Sequence, residues 1–374
     1  MHDYQFSADL IRFAFILGVI SSVVIYDRLR MTTGSLVVPG YLGVFILQPA
    51  VIIVTLANAL IGYAVVYRVL PRYAVLYGRA PFLVLSAISV GLQVGLITLG
   101  RHFDLGFGPA GPLVGIGLVI PALLGNDFGR QGIRTTLSGA GLGGAVVGAV
   151  VLLALLVAPN LREQTSAIDY GRTAFDGQWL PLAVLISAIV AASLQSSLSL
   201  RSGGMIGGGY LAMISPGWQE IAVLAAGSLL TYVIVAVVIR RRTVLFGRRK
   251  FAAMLITGSL VSWIVFPAAA HFGWFEVDAL ATLPLTGAIL MGLFANDMER
   301  AGIRRVGLGT TFSVAITLSL TLLAREVATT RDPQTVSILV AASCASISAV
   351  VIAARMRGSR ATAMNRGSAL PAAS

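Results

Sequence analysis

The sequence predicts an all-α, polytopic integral membrane protein of about thirteen transmembrane segments, arranged as two parallel six-span repeats plus one C-terminal span. Three observations carry this prediction. The first is composition: of 374 residues, 57% are hydrophobic and 11% charged, with a mean hydropathy of +0.88, whereas a soluble domain carries about 25% charged residues. Apolar runs such as AFILGVISSVVIY and TYVIVAVVI are too long and too many to hide in one soluble core. The short alternating segments of a membrane β-barrel are missing. The second is self-similarity at a fixed offset. At +169, Gly34 meets Gly203, Gly40 meets Gly209, Tyr41-Leu42 meets Tyr210-Leu211, and VLYGRAPF meets VLFGRRKF. At +170, GNDFGRQGIR meets ANDMERAGIR. The third is the placement of basic residues, which decides the topology.

Taken in order, the apolar spans of the first copy read 8–26, 34–47, 50–67, 81–99, 112–124 and 135–157. Those of the second read 179–200, 203–214, 221–239, 251–270, 280–295 and 307–323, and a last span at 336–354 has no counterpart. The domains are therefore a first repeat over 1–157, an extracytoplasmic connector over 158–178, and a second repeat over 179–323. An extra span within 324–354 and a basic, disordered cytoplasmic tail over 355–374 complete the chain. The opening MHDYQFSADL has neither a basic n-region nor a small-residue cleavage site, so the first run reads as a retained helix.

Two spans are short. The stretch over 34–47 gives only about 21 Å of α-helix against a hydrocarbon core of about 30 Å. If it did not cross, each copy would have five crossings, and the basic loops at 68–80 and 240–250 would face opposite sides. Basic loops belong in the cytoplasm, so the short segment is expected to cross. With the N-terminus outside and the C-terminus inside, most of the 27 basic residues then fall on the inner side. Acidic residues mostly fall outside, at Asp104, Glu163, Asp169, Asp176, Glu276, Asp278, Glu326 and Asp332. The expected location is the plasma membrane.

The Pro39-Gly40 and Gly208-Gly209 pairs, followed by Tyr41 and Tyr210, are expected to be unwound, broken-helix positions buried between the repeats. They admit two readings, a binding site of the kind broken helices form in transporters or a kink that serves packing. GAGLGG, from Gly139, formally matches GxGxxG. It lies in an apolar span with no preceding strand, and it reads as small-residue helix packing.

The chemistry is bounded by what is absent. Lys250 is the one lysine and Phe251 follows it, so no P-loop exists. HExxH, GxSxG and clustered carboxylates are also missing, and Cys344 is the single cysteine. No catalytic residue, metal site or cofactor is expected. The net charge of +12 is read as inner loops touching anionic lipid, not nucleic acid. Interior ionisable residues look nearly absent. The turn NDFGRQGIR and its mate NDMERAGIR are read as inner loops of about ten residues between spans. There Asn126 and Asn296 end a helix, Gly132 and Gly302 permit a tight turn, and Arg130 and Arg300 face the cytoplasm. RRRTVLFGRRK, from Arg240 to Lys250, includes Arg248 and Arg249, the first of which is the mate of Arg79. These arginines admit a lipid-anchoring role or the docking of a partner or a polycarboxylate.

SLVVPGYL, Gln48-Pro49, LYGR ending at Arg79, and GIGLVIPALLGNDFGRQGI, in that order and spacing, resemble the PgsC family of poly-γ-glutamate synthase membrane proteins, called CapC in capsule synthesis. Asp27-Arg28 resembles the acidic-Arg pair of that family. The likeness covers about 13–157 and, more weakly, 180–323, where Val38-Pro39 is replaced by Gly207-Gly208 and Asp27 by Ser196. It implies a tandem duplication of a short membrane subunit that works beside an ATP-dependent amide ligase and other synthase subunits, handling a polycarboxylate polymer without catalysing its formation. The alternative is a stand-alone secondary transporter for a small anionic solute, since parallel repeats also fit that class.

Overall fold

The computed structural model describes residues 7–73, 76, 80–102, 117, 119–162, 173–274 and 283–329. The described chain is helical. The first copy contains α1 (Ala8–Leu29), α2 (Val38–Val44), α3 (Pro49–Tyr63), α4 (Ala80–His102), α5 (Ile120–Gln131) and α6 (Ile133–Val157). The second contains α7 (Leu180–Leu198), α8 (Gly207–Met213), α9 (Trp218–Tyr232), α10 (Gly247–His271), α11 (Leu283–Ala301) and α12 (Ile303–Thr329). Each helix has its mate six places on. Even irregularities recur: α1 and α7 end on the positive-φ residues Arg30 (56°) and Ser199 (53°). Likewise α3 and α9 run on into π-helical turns at Ala64–Val69 and Val233–Ile239, a geometry rare enough that its recurrence marks a duplicated fold. Among the described residues, six helical segments are long and apolar enough to cross a membrane, and α4 and α7 contain shorter apolar stretches. The expected span at 336–354 and the tail lie outside the described residues.

Ion pairs fix the direction of the repeats. Arg249 at the start of α10 meets Asp27 at the end of α1 at 3.0 Å, and neighbouring Lys250 meets Glu299 near the end of α11. Arg201, just past α7, meets Asp297 of α11 at 2.9 Å. The ends of α1, α7 and α11 and the start of α10 therefore share one basic end of the bundle. Mates α1 and α7 point the same way, so the repeats are parallel.

The short segment runs alongside α6. A Cβ added at Gly139 would meet the Thr32 carbonyl at 2.8 Å, one at Gly143 the Pro39 ring at 3.0 Å, and one at Gly148 the Ile46 side chain at 2.2 Å. Residues 32–46 thus climb along α6 over about 14 Å of helix rise. The chain then returns through α3, whose π turn brings Tyr67 back to Asn126 at 3.1 Å. The Gly139 to Gly148 glycines let the backbone approach, as small residues do between membrane helices.

Two expectations are corrected here. Pro39-Gly40 and Gly208-Gly209 are not unwound. They lie inside α2 and α8, with Pro39 in the first turn, where its missing N–H has no helical partner to lose. The non-helical backbone flanks each short helix at 30–37, 45–48, 199–206 and 214–217. Nor do α2 and α8 sit between the repeats. α2 packs on α1 and α6, and α8 on α7 and α12, within their own copies. Gly40 is small because a Cβ there would stand 2.9 Å from Phe15 Cα, and one at Gly209 would stand 2.9 Å from Val184 Cα, its mate contact. Contact between repeats comes from α1 against α10 and, symmetrically, from α7 against α4. Ala252 and Leu255 join the α1–α2–α6 core, and Ala87 and Val90 join that of α7.

Candidate functional site

At the basic end, the recurring Asn-Asp motif is helix and not loop. α5 runs through Asn126 and Asp127 to Gln131, and Gly132 alone, at φ 92° and ψ 155°, separates it from α6. Gly302 does the same between α11 and α12 at φ 86°. Asn126 and Asn296 therefore end no helix, and the ten-residue loops shrink to single glycines that permit the expected tight turn. Glycine alone tolerates this backbone region readily.

The side chain that works hardest in the motif is the aspartate, which sequence reasoning passed over. Asp127 is buried, and its Oδ2 accepts from the Thr32 hydroxyl at 2.6 Å. Gln131 brackets the same residue, accepting from Thr32 N–H at 2.9 Å and donating to its carbonyl at 2.7 Å. In the second copy Asp297, also buried, accepts from Arg201 Nη1 at 2.9 Å and from Gly204 N–H at 3.0 Å. Each aspartate thus ties down the non-helical chain that leads into a short helix. Together with buried Arg12, which pairs with Asp9 at the opposite end of α1, they also correct the expectation of an interior nearly free of ionisable groups. The missed signal was available, since Asn-Asp recurs at +170. An aspartate three residues before Arg130, however, reads as a surface pair.

The copies differ around this scaffold. Tyr67 donates to Asn126 Oδ1 and lies over Gly129, where a Cβ would stand 2.4 Å from the ring. The mates of Tyr67 and Gly129 are Ala236 and Glu299. Glu299 binds Arg240 at 2.8 Å and also Lys250. Asn296, deprived of a tyrosine, is 7% exposed and leaves its Oδ1 without a hydrogen-bond partner. It lines a cavity of about 220 Å³ together with Arg201, Asp297 and Arg300.

The other candidates separate. Arg248 turns inward: its Nη2 donates to Ser22 at 2.7 Å and Thr33 at 3.3 Å, and the guanidinium lies 5.2 Å from the Tyr26 ring centroid. Arg249 pairs with Asp27. Both arginines are spent on joining the repeats. Arg130 is exposed, 3.8 Å from Asp127, and Arg300 is exposed at the cavity mouth. Tyr41 and Tyr210 are buried in the short helices; the Tyr41 hydroxyl meets Thr55 at 3.2 Å. Arg79 lies outside the described residues.

Comparison with known proteins gives this arrangement a family. The model of capsule biosynthesis CapC matches the chain twice, over residues 17–137 and again over 182–307, which together make up more than half of it. The chain belongs to the CapC family. The two matches fall on the two structural repeats, so the protein is a tandem CapC. The PGA biosynthesis protein CapC of Bacillus subtilis (strain 168) is 32% identical over 137 residues, which are 35% of this chain and 86% of that protein. The capsule biosynthesis protein CapC of Bacillus anthracis is 32% identical over 138 residues, 36% of this chain and 87% of its own length. About one third of the tandem chain thus matches nearly a whole relative. No solved structure matches.

Proposed function

We propose that this tandem CapC is a non-catalytic membrane subunit of a poly-γ-glutamate, capsule-type polyanion synthase and export complex. It docks an ATP-dependent amide ligase and handles the polymer. The observation that carries the reading is the basic end, where a CapC-family chain gathers arginines from both copies. Arg130 and Arg134 of the first copy and Arg241, Arg242, Arg300, Arg304 and Arg305 of the second are exposed there. Planar guanidinium groups suit the paired oxygens of carboxylates, whether on a polymer or on a partner's acidic surface. In the plasma membrane, with the N-terminus outside, this end faces the cytoplasm, where a ligase would find ATP. The chain supplies no phosphate-binding loop of its own.

Co-expression tests the reading. Cells carrying an ATP-dependent poly-γ-glutamate ligase are compared with and without the chain, and extracellular polymer is measured by amount and length. Polymer should appear only with both. Polymer made by the ligase alone, or ATP hydrolysis by the purified chain alone, would overturn it. Deletion that spares polymer but abolishes uptake of a small anion would favour the transporter alternative.

A further inference from the structure

The two copies present equivalent clefts at the basic end, and their own walls carry different charge. In the first copy the walls are Ser22, Tyr26 and Thr33. Arg248 reaches across from the other repeat to fill the space, bonded to both hydroxyls and lying over the tyrosine ring, within electrostatic range of Asp127 and Arg130. Hydroxyl acceptors, a π face and a carboxylate make a seat for a cation. The mates of those three walls at +169 are Ala191, Gln195 and Ser202, and all three line the 220 Å³ cavity. The mates of Asp127 and Arg130 at +170, Asp297 and Arg300, line it too.

What changed between the copies shifts the preference toward an anion. One hydroxyl has become the methyl of Ala191, and the π face has become an amide. Thr32, the hydroxyl partner of Asp127, has become Arg201, which brings its own positive charge to Asp297 at 2.9 Å. The aspartate is thus neutralised from within, and Arg300 leaves the cavity with net positive charge. Asn296, more than nine-tenths buried, has an Oδ1 that lacks a donor because the mate of Tyr67 is an alanine. A buried carbonyl without a donor is costly, and a ligand N–H can supply one after a small turn of the amide.

We propose that this second-copy cavity binds a small carboxylate carrying an adjacent N–H, with Arg300 and Arg201 taking the carboxylate and Asn296 the N–H. A single γ-glutamyl unit has both groups and is smaller than the ligands that fill pockets of about 300–1,000 Å³. The proposal deepens the polymer-handling reading and rests on it for the choice of glutamyl chemistry. The first-copy cleft, already filled by Arg248, takes no such ligand, so one chain holds one unit.

Equilibrium binding to the full chain in detergent tests this, with γ-glutamyl-glutamate and L-glutamate as probes and glutarate, which has no N–H, as comparator. At least one N–H-bearing probe should bind saturably at one site per chain, with glutarate weaker by about tenfold or more, equivalent to about 1.4 kcal/mol. Arg300→Gln, an exposed change that leaves the core alone, should weaken all probes about tenfold. Asn296→Leu should erase the preference over glutarate; its thermal midpoint is checked alongside, and Arg300→Gln decides if that variant is unstable. Absence of saturable binding to the unaltered chain, or binding indifferent to both substitutions, overturns the cavity assignment while leaving the polymer requirement untouched. Conversely, binding as described in a chain whose deletion spares extracellular polymer sinks the synthase reading and keeps the site.

Discussion

At the scale of single residues, the two buried aspartates hold the architecture together. Asp297 accepts from Arg201 and Gly204 N–H, and Asp297→Ala leaves a guanidinium with 20% of its side chain exposed and a backbone donor both unpaired. Loss of one partner from a buried pair costs on the order of 3 kcal/mol, so the detergent-purified variant should show a markedly lower thermal midpoint. Asp297→Asn keeps an acceptor and should lose about 1 kcal/mol. If the two variants melt alike, the carboxylate is not the anchor. A glycine pair gives an independent check. A Cβ at Gly309 would stand 2.3 Å from the Arg201 carbonyl, while Gly307 has nothing within 4 Å. Gly309→Ala should therefore disrupt the chain entering α8, and Gly307→Ala should be near neutral or mildly stabilising. Residue identity in the motif was legible, but residue role was not. Asp127 finds Thr32 across 95 positions of chain, a distance over which periodicity says nothing. Arg248 and Arg249 looked outward from sequence for the same reason, since Ser22 and Asp27 lie more than 200 residues away.

At the scale of elements, the spans and their pairing could be read from hydropathy and the repeat, because apolar runs and constant offsets are local properties of the string. The short spans fold as seven-residue helices, each packed within its own copy. Their interior was misjudged because Pro-Gly suggests a break, whereas proline in a first turn is compatible with a helix and Gly40 is present for its closeness to Phe15. The Asn-Asp-Xaa-Xaa-Arg turn was misjudged in the opposite sense. Its polar residues suggest a loop, yet they continue α5 and α11 to a single glycine. That economy makes a prediction. Gly132 has open space around it but sits at φ 92° and ψ 155°, a region nearly reserved for glycine. Gly132→Ala should cost about 1–3 kcal/mol through strain and not through a clash. The readout is the thermal midpoint compared with Ala140→Gly in the helix that follows, α6. A neutral Gly132→Ala would mean that the turn relaxes and that α5 and α6 are not rigidly joined there.

At the scale of the whole molecule, duplication has turned what one CapC unit does into an asymmetric pair. One inter-repeat contact carries Arg249–Asp27 and Arg248 on Ser22. At the other, Ser196 replaces the aspartate, so the second contact is not pinned in the same way. The Arg249–Asp27 pair is largely solvent-exposed and worth at most about 1 kcal/mol, so it serves register more than stability. Cysteines at both positions, in a Cys344→Ser background, should be joined by a short bis-maleimide, because an arginine-length reach separates the backbones too far for a direct disulfide, and the product should migrate as a monomer. Cross-linked dimers in its place would mean that the contact forms between chains. The central claim is that the two parallel repeats share one arginine-rich face and that this face is cytoplasmic. Single cysteines at Tyr73, Val244 and Asp176, all exposed positions, test it in intact cells with a membrane-impermeant maleimide. The account predicts labelling of Asp176→Cys alone, with Tyr73→Cys and Val244→Cys reacting only after permeabilisation. Labelling of just one of that pair in intact cells would show inverted repeats, and labelling of both without Asp176→Cys would put the arginine face outside; either result contradicts the account.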